Sequence, residues 1–142
     1  GMGINGKNSE FHAAMGVVNL NHVDAILSKR KEQSLIYKNL LKGLKASSQK
    51  LISAKEYNYA YYPIVFESEA IALKLKSILE KSEIFPRRYF YPSLSSLDYT
   101  SKENTPISDD IASRILCLPL YHELSKVEQE LIARILLRTQ NN

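Results

Sequence analysis

The feature that most restricts this chain is a helical apolar period running, with one interruption, from position 8 to about position 44. Phe11, Ala14, Met15 and Val18, then Val23, Ile26 and Leu27, then Tyr37, Leu40, Leu41 and Leu44 recur at three- and four-residue steps. That spacing gathers side chains on one side of an α-helix and predicts a stripe turned towards a core. Asn8 or Ser9 can cap the start, because each carries a side-chain oxygen for the free N–H groups of a first turn. Gly43 and the Ser47-Ser48 pair end the helix, and the polar stretch 19–24, whose side chains compete for helical hydrogen bonds, predicts a kink or a break.

Further along the period changes. Tyr59, Tyr61, Tyr62, Ile64, Val65 and Phe66 read as a strand over 59–66, which Pro63 demotes towards an edge or a bulge. Ser68 then caps a helix with Ile71, Leu75, Ile78 and Leu79 on one face. Positions 84–91 form a second strand candidate interrupted by Pro86, and 94–106 is the longest irregular stretch. Ser108, with Asp109 and Asp110 behind it, opens a short helix, and 114–118 is an apolar run ended by Pro119. Ser125-Lys126-Val127-Glu128 is a capping box before a helix carrying Leu131, Ile132, Ile135 and Leu136. Helices alternating with two or three short strands predict an α+β layer arrangement, with positions 2–142 as one domain. Gly1 before Met2 reads as a residue left by tag removal.

Composition narrows the function classes. At 44% hydrophobic and 24% charged, with five Gly and five Pro, the chain is neither disordered nor collagen-like. No stretch approaches the roughly 20 apolar residues of a bilayer crossing, and no basic-then-apolar leader opens the sequence, so a cytoplasmic protein without a membrane partner is expected. One cysteine, Cys117, agrees with a reducing compartment. The net charge is +4, and positions 29–50 hold seven basic residues against Glu32 alone. Nucleic-acid binding wants aromatic or arginine platforms interleaved with the charge; this stretch offers only Tyr37 and reads as a solvated helix face.

Local motifs carry little catalytic chemistry. Gly1, Gly3 and Gly6 match G-x-G-x-x-G, but a dinucleotide fingerprint must follow a strand. His12, His22 and His122 have no ligand-spaced partner, so no metal site is expected. Cys117 sits in an apolar run and reads as a small buried thiol. Arg87-Arg88-Tyr89-Phe90-Tyr91-Pro92 sets two guanidinium groups beside three rings just ahead of the irregular stretch. Such chemistry suits a phosphorylated ligand, and it equally suits a strand whose rings pack inward while its arginines reach into water.

Several blocks taken together resemble one family. Gly3-Ile4-Asn5-Gly6-Lys7-Asn8-Ser9-Glu10-Phe11-His12-Ala13-Ala14-Met15-Gly16, Leu20-Asn21-His22-Val23-Asp24 with Lys29-Arg30, Tyr62-Pro63-Ile64-Val65-Phe66, the Pro86 to Pro92 block and Arg114-Ile115-Leu116-Cys117-Leu118-Pro119-Leu120 are similar, in order and spacing, to the C-terminal part of the DegT/StrS pyridoxal-phosphate-dependent sugar-nucleotide aminotransferases. The resemblance implies the small domain of a fold-type I transferase, with a short, mainly antiparallel sheet packed with helices. It implies Asn5 as a contact to the cofactor phosphate held by a neighbouring subunit of a homodimer, and Arg88 and Tyr89 as contacts to the sugar nucleotide. Ser95 stands near where many members carry a histidine. The large domain with the Schiff-base lysine would precede Gly3. The 142 residues alone are therefore expected to bind no pyridoxal phosphate and to have no catalytic residue and no transaminase activity, as a domain of a longer enzyme or a truncated relative. The alternative is a non-catalytic binding or assembly module that pairs with itself or with a separate chain.

Overall fold

A computed structural model describes residues 6–50, 57–100 and 104–140. Two helices open it, α1 (Glu10–Leu20) and α2 (Val23–Leu40), separated by a turn at Asn21 and His22 where the polar stretch predicted a break. Ser9 caps α1, its side chain accepting from the His12 N–H at 3.3 Å. Contrary to the expected inward stripe, α1 buries nothing, and Phe11, Met15 and Leu20 stand open to solvent. A period says which side of a helix is apolar, not what covers it.

Helix α2 ends at Leu40, and Gly43 follows with φ +91°, a left-handed conformation in which a Cβ would be strained. Ala46–Ser48, expected only to close the helix, form an edge strand, β1, antiparallel to β2 (Tyr62–Phe66). β2 in turn pairs antiparallel with β3 (Ile115–Leu118), so the order is β1-β2-β3 with β2 central. Pro63 fits a central strand because β1 runs out opposite Ile64, leaving Pro63 paired only with Cys117. The strand starts at Tyr62 rather than Tyr59, whose φ of +49° breaks the extended path. The strand expected over 84–91 shrinks to one bridge, Arg87 with Cys117, because Pro86 has no N–H to continue a ladder.

Helix α3 (Glu69–Glu80) is capped by Ser68, which accepts from the Ile71 N–H at 3.3 Å. Helix α4 (Pro106–Arg114) starts two residues before the expected Ser108, with Pro106 preset for its first turn. It also takes in Arg114, whose guanidinium pairs with Asp110 at 2.6 Å one turn back. Helix α5 (Lys126–Gln140) has its capping box: the Ser125 N–H donates to Glu128 Oε2 at 2.7 Å, and the Glu128 N–H to Ser125 Oγ at 3.2 Å. Such a cap contributes about 1 kcal/mol.

Register settles which sheet face is covered. Tyr62 lies opposite Leu118 and Ile64 opposite Leu116, so these residues and Phe66 share a face. That face meets Tyr37 of α2, Leu75 and Leu79 of α3, and Ile132 and Leu136 of α5 in one core. The result is the expected α+β arrangement of a short antiparallel sheet with helices against one side. Pro63, Val65, Ile115 and Cys117 line the other side, where the candidate site lies.

Candidate functional site

The second sheet face is walled by rings. Tyr61 meets Tyr89 edge-on at 5.4 Å between centroids, and Tyr89 stacks on Phe90 at 5.0 Å with 19° between planes. Tyr89 stands where three clefts meet. One of about 770 Å³ is lined by Arg30, Arg87, Tyr61, Tyr121 and apolar residues including Leu118. A second of about 530 Å³ lies over Val65 and Ile115, with Lys50, Arg114 and Phe90 around it. A third of about 380 Å³ reaches Ser95 and Thr105.

The two neighbouring arginines are placed very differently. Extended backbone sends successive side chains to opposite sides, and the Arg87 bridge to Cys117 holds this stretch extended. Arg88 turns towards the helices, where its Nη2 donates to Glu69 Oε1 at 2.7 Å and to the Ser113 carbonyl at 2.6 Å. Its guanidinium carbon lies 3.5 Å from the Tyr91 ring centroid, and the side chain is only 15% exposed. Arg87 is exposed, borders the largest cleft and donates to the Tyr89 hydroxyl. Of the residues expected to meet a ligand, Tyr89 lines all three clefts and Arg88 lines none of them. Asn5 lies outside the described residues.

Electrostatics separates reactive from structural groups. Burial pushes the Cys117 thiol up, so although it borders two clefts it is held protonated. The Asp109 carboxyl lies below the usual carboxylate range, first because the Ser95 hydroxyl donates to it, at 2.5 Å, and then because of Ser93 and Thr105. Ser95 thus ties the irregular stretch to α4. The sequence reading missed Arg30, Tyr61, Lys50, Arg114 and Tyr121 as cleft residues. Tyr61 was visible only as a strand aromatic, and nothing local to the others ties them to Tyr89.

Pyridoxal phosphate requires of a protein a lysine amine in a water-poor pocket and donors for its phosphate. Among the described residues no lysine is buried, and Lys50 alone borders one of these clefts. They do not complete a site for the cofactor on their own. Nor, among the described residues, do three His, Cys, Asp or Glu side chains gather as metal ligands, and no helix is long and apolar enough to cross a membrane.

The comparisons with known proteins place this α+β unit, a short antiparallel sheet with helices on one face, among aminotransferases. A model of the DegT/DnrJ/EryC1/StrS aminotransferase family matches residues 1–137, and the chain belongs to that family. The chain is 36% identical over 145 aligned positions to the dTDP-4-amino-4,6-dideoxy-D-glucose transaminase of Escherichia coli, covering 95% of this chain and 39% of that protein. It is 29% identical over 112 positions to the GDP-perosamine synthase of Vibrio cholerae, covering 75% of this chain and 30% of that one. Among solved structures, the aminotransferase TlmJ of Streptoalloteichus hindustanus superposes with a TM-score of 0.83 at 19% identity, over 99% of this chain and 39% of that one. This chain therefore spans well under half the length of the relatives it matches.

Proposed function

We propose that this chain is the smaller, C-terminal part of a sugar-nucleotide aminotransferase, which in its complete form uses pyridoxal phosphate to transfer an amino group to a keto-deoxysugar nucleotide in the cytoplasm. The observation that carries the reading is the family match from residue 1 to 137 in a chain covering 39% of its Escherichia coli relative. In the complete enzyme the cofactor lysine would come from the large domain. Asn5 would reach the cofactor phosphate across a homodimer, and Tyr89, on the loop anchored by Arg88, would face the substrate. The relatives' names include both a dTDP and a GDP sugar. What those ligands share is a diphosphate, which Arg and Lys recognise whatever the base.

The test is a chimera in which this chain replaces the matching stretch of the Escherichia coli transaminase. It should purify with bound cofactor and transfer amino groups to a dTDP-keto-sugar, while the 142 residues alone should transfer none. A cofactor-loaded chimera without activity, or transfer by this chain alone, would refute the reading.

A second reading, a module that pairs with itself or with a separate chain, has one observation behind it. Helix α1 buries no residue and exposes Phe11, Met15 and Val18 together on one side. Apolar surface gathered in this way tends to find a partner. Light scattering should then show a concentration-dependent dimer that Phe11→Asp with Met15→Asp converts to monomer; a strictly monomeric wild type would exclude pairing with itself.

A further inference from the structure

We propose that Arg87, not Arg88, is the cation that receives the diphosphate of the ligand, and that Arg88 is a positioning residue which aims the loop. The inference rests on the sugar-nucleotide reading above and goes beyond it by dividing the roles of two adjacent, chemically identical side chains.

Arg88 has its hydrogen-bonding capacity turned inward. One nitrogen serves both Glu69 at the start of α3 and the carbonyl of Ser113 near the end of α4, the guanidinium lies on Tyr91, and Nε is buried. Meeting a ligand would require giving up a charge-assisted bond to Glu69 and leaving a carboxylate beside a vacated, partly buried position. The arrangement instead joins three elements, α3, α4 and the aromatic loop.

Arg87 has the complementary character. Its backbone is fixed by two bonds to Cys117, at 3.0 and 2.7 Å, so the residue starts from a rigid sheet position while its side chain remains exposed. Its one side-chain partner among the described residues is the hydroxyl of Tyr89, a neutral group that a phosphate oxygen displaces without stranding a charge. Arg30 of α2 borders the same cleft and supplies a second guanidinium. Two carboxylates also lie there. Glu128 is committed to the Ser125 cap, and Glu83 is placed to accept from sugar hydroxyls. Tyr61, Tyr89 and Tyr121 give the cleft faces for a ring to stack upon.

The proposal is tested on the 142-residue chain by nitrogen-15 NMR titration with dTDP and with inorganic pyrophosphate, alongside thermal unfolding. Both probes should move the Arg87 Nε and Tyr89 amide resonances saturably. Arg87→Gln should weaken dTDP binding by about tenfold or more, as loss of a charge-assisted bond predicts, with an unchanged unfolding midpoint. Arg88→Gln should lower the midpoint, and Arg88→Lys, which keeps a cation opposite Glu69 and guards against misfolding, should bind dTDP within about threefold of wild type. If Arg88→Lys loses binding and Arg87→Gln retains it, the roles are reversed and the sugar-nucleotide reading stands. Binding of dTDP that neither substitution alters overturns the assignment alone. Failure of both millimolar dTDP and pyrophosphate to bind overturns the assignment to Arg87, and the chimera alone decides the sugar-nucleotide reading.

Discussion

Alanine at position 66 is expected to lower the unfolding free energy by about 3 to 5 kcal/mol, the range for emptying a buried phenyl site. Phe66 is 1% exposed and closes the covered side of the central strand, with core residues from α2, α3 and α5 around it. Such a site cannot collapse easily, because Ala46 on one neighbouring strand and Val65 beside Ile115 on the other fix the backbone on both sides. Its carbonyl also accepts from Arg114, so the strand end is tied to α4 as well. Domains of this size unfold for about 5 to 15 kcal/mol, which makes the loss about a fifth of the total or more. The control is Val65→Ala, one residue earlier and on the cleft side, where only about 1 kcal/mol should be lost. Urea titrations of both variants check the pair, and equal losses would mean that the two faces are not distinguished as the register requires.

The fold was legible wherever the signal is local. Ser9, Ser68 and Ser125 announce helix starts through their own oxygens, the polar stretch before Val23 announces a turn, and the aromatic and β-branched run ending at Phe66 announces a strand. What failed depends on partners distant in sequence. Ala46–Ser48 has no strand-like composition and is a strand only because β2 offers it free N–H and C=O groups. Pro63 looked like an edge residue and is one in a local sense, since no β1 residue faces it. The apolar side of α1 was readable, but its covering was not.

The site was legible in part for the same reason. Arg87, Arg88 and Tyr89 are adjacent, so their chemistry could be read from six residues. Which arginine faces a cleft is set by Glu69 and Ser113, 19 and 25 positions away. Arg30 and Tyr121 reach the same cleft from α2 and from the loop before α5, and no spacing rule links them to Tyr89.

The loop that carries Tyr121 leads to the second large effect, at Gln33. In sequence Gln33 sits among charged residues and looks solvent-facing, yet it is 1% exposed and shares one side of α2 with buried Tyr37, four residues on. Between the end of β3 and the start of α5 the carbonyls of 119–124 have no ladder to bond to. They are served from α2 instead: Gln33 Nε2 donates to Tyr121 O at 2.7 Å and to Leu124 O at 3.0 Å, and the Tyr37 hydroxyl donates to Pro119 O at 3.0 Å. Gln33→Leu should therefore cost about 2 kcal/mol, because it strands the buried Leu124 carbonyl and takes from Tyr121 O the second of its two donors. Its local mark should be faster hydrogen exchange at the Leu124 amide, which bonds within this turn to Tyr121 O. Gln129→Leu offers the contrast. It is equally buried and donates to the main-chain oxygen of Gln33, but that oxygen lies inside α2, where the helix supplies a donor of its own. Both side chains carry a buried Oε1 with no partner among the described residues, so that atom does not separate them; the helix donor left to the Gln33 carbonyl does, and the net cost of Gln129→Leu should stay below about 1 kcal/mol. Chemical denaturation ranks the two, and a Gln129 effect as large as that of Gln33 would show that the loop is held by helix packing rather than by these carbonyl bonds.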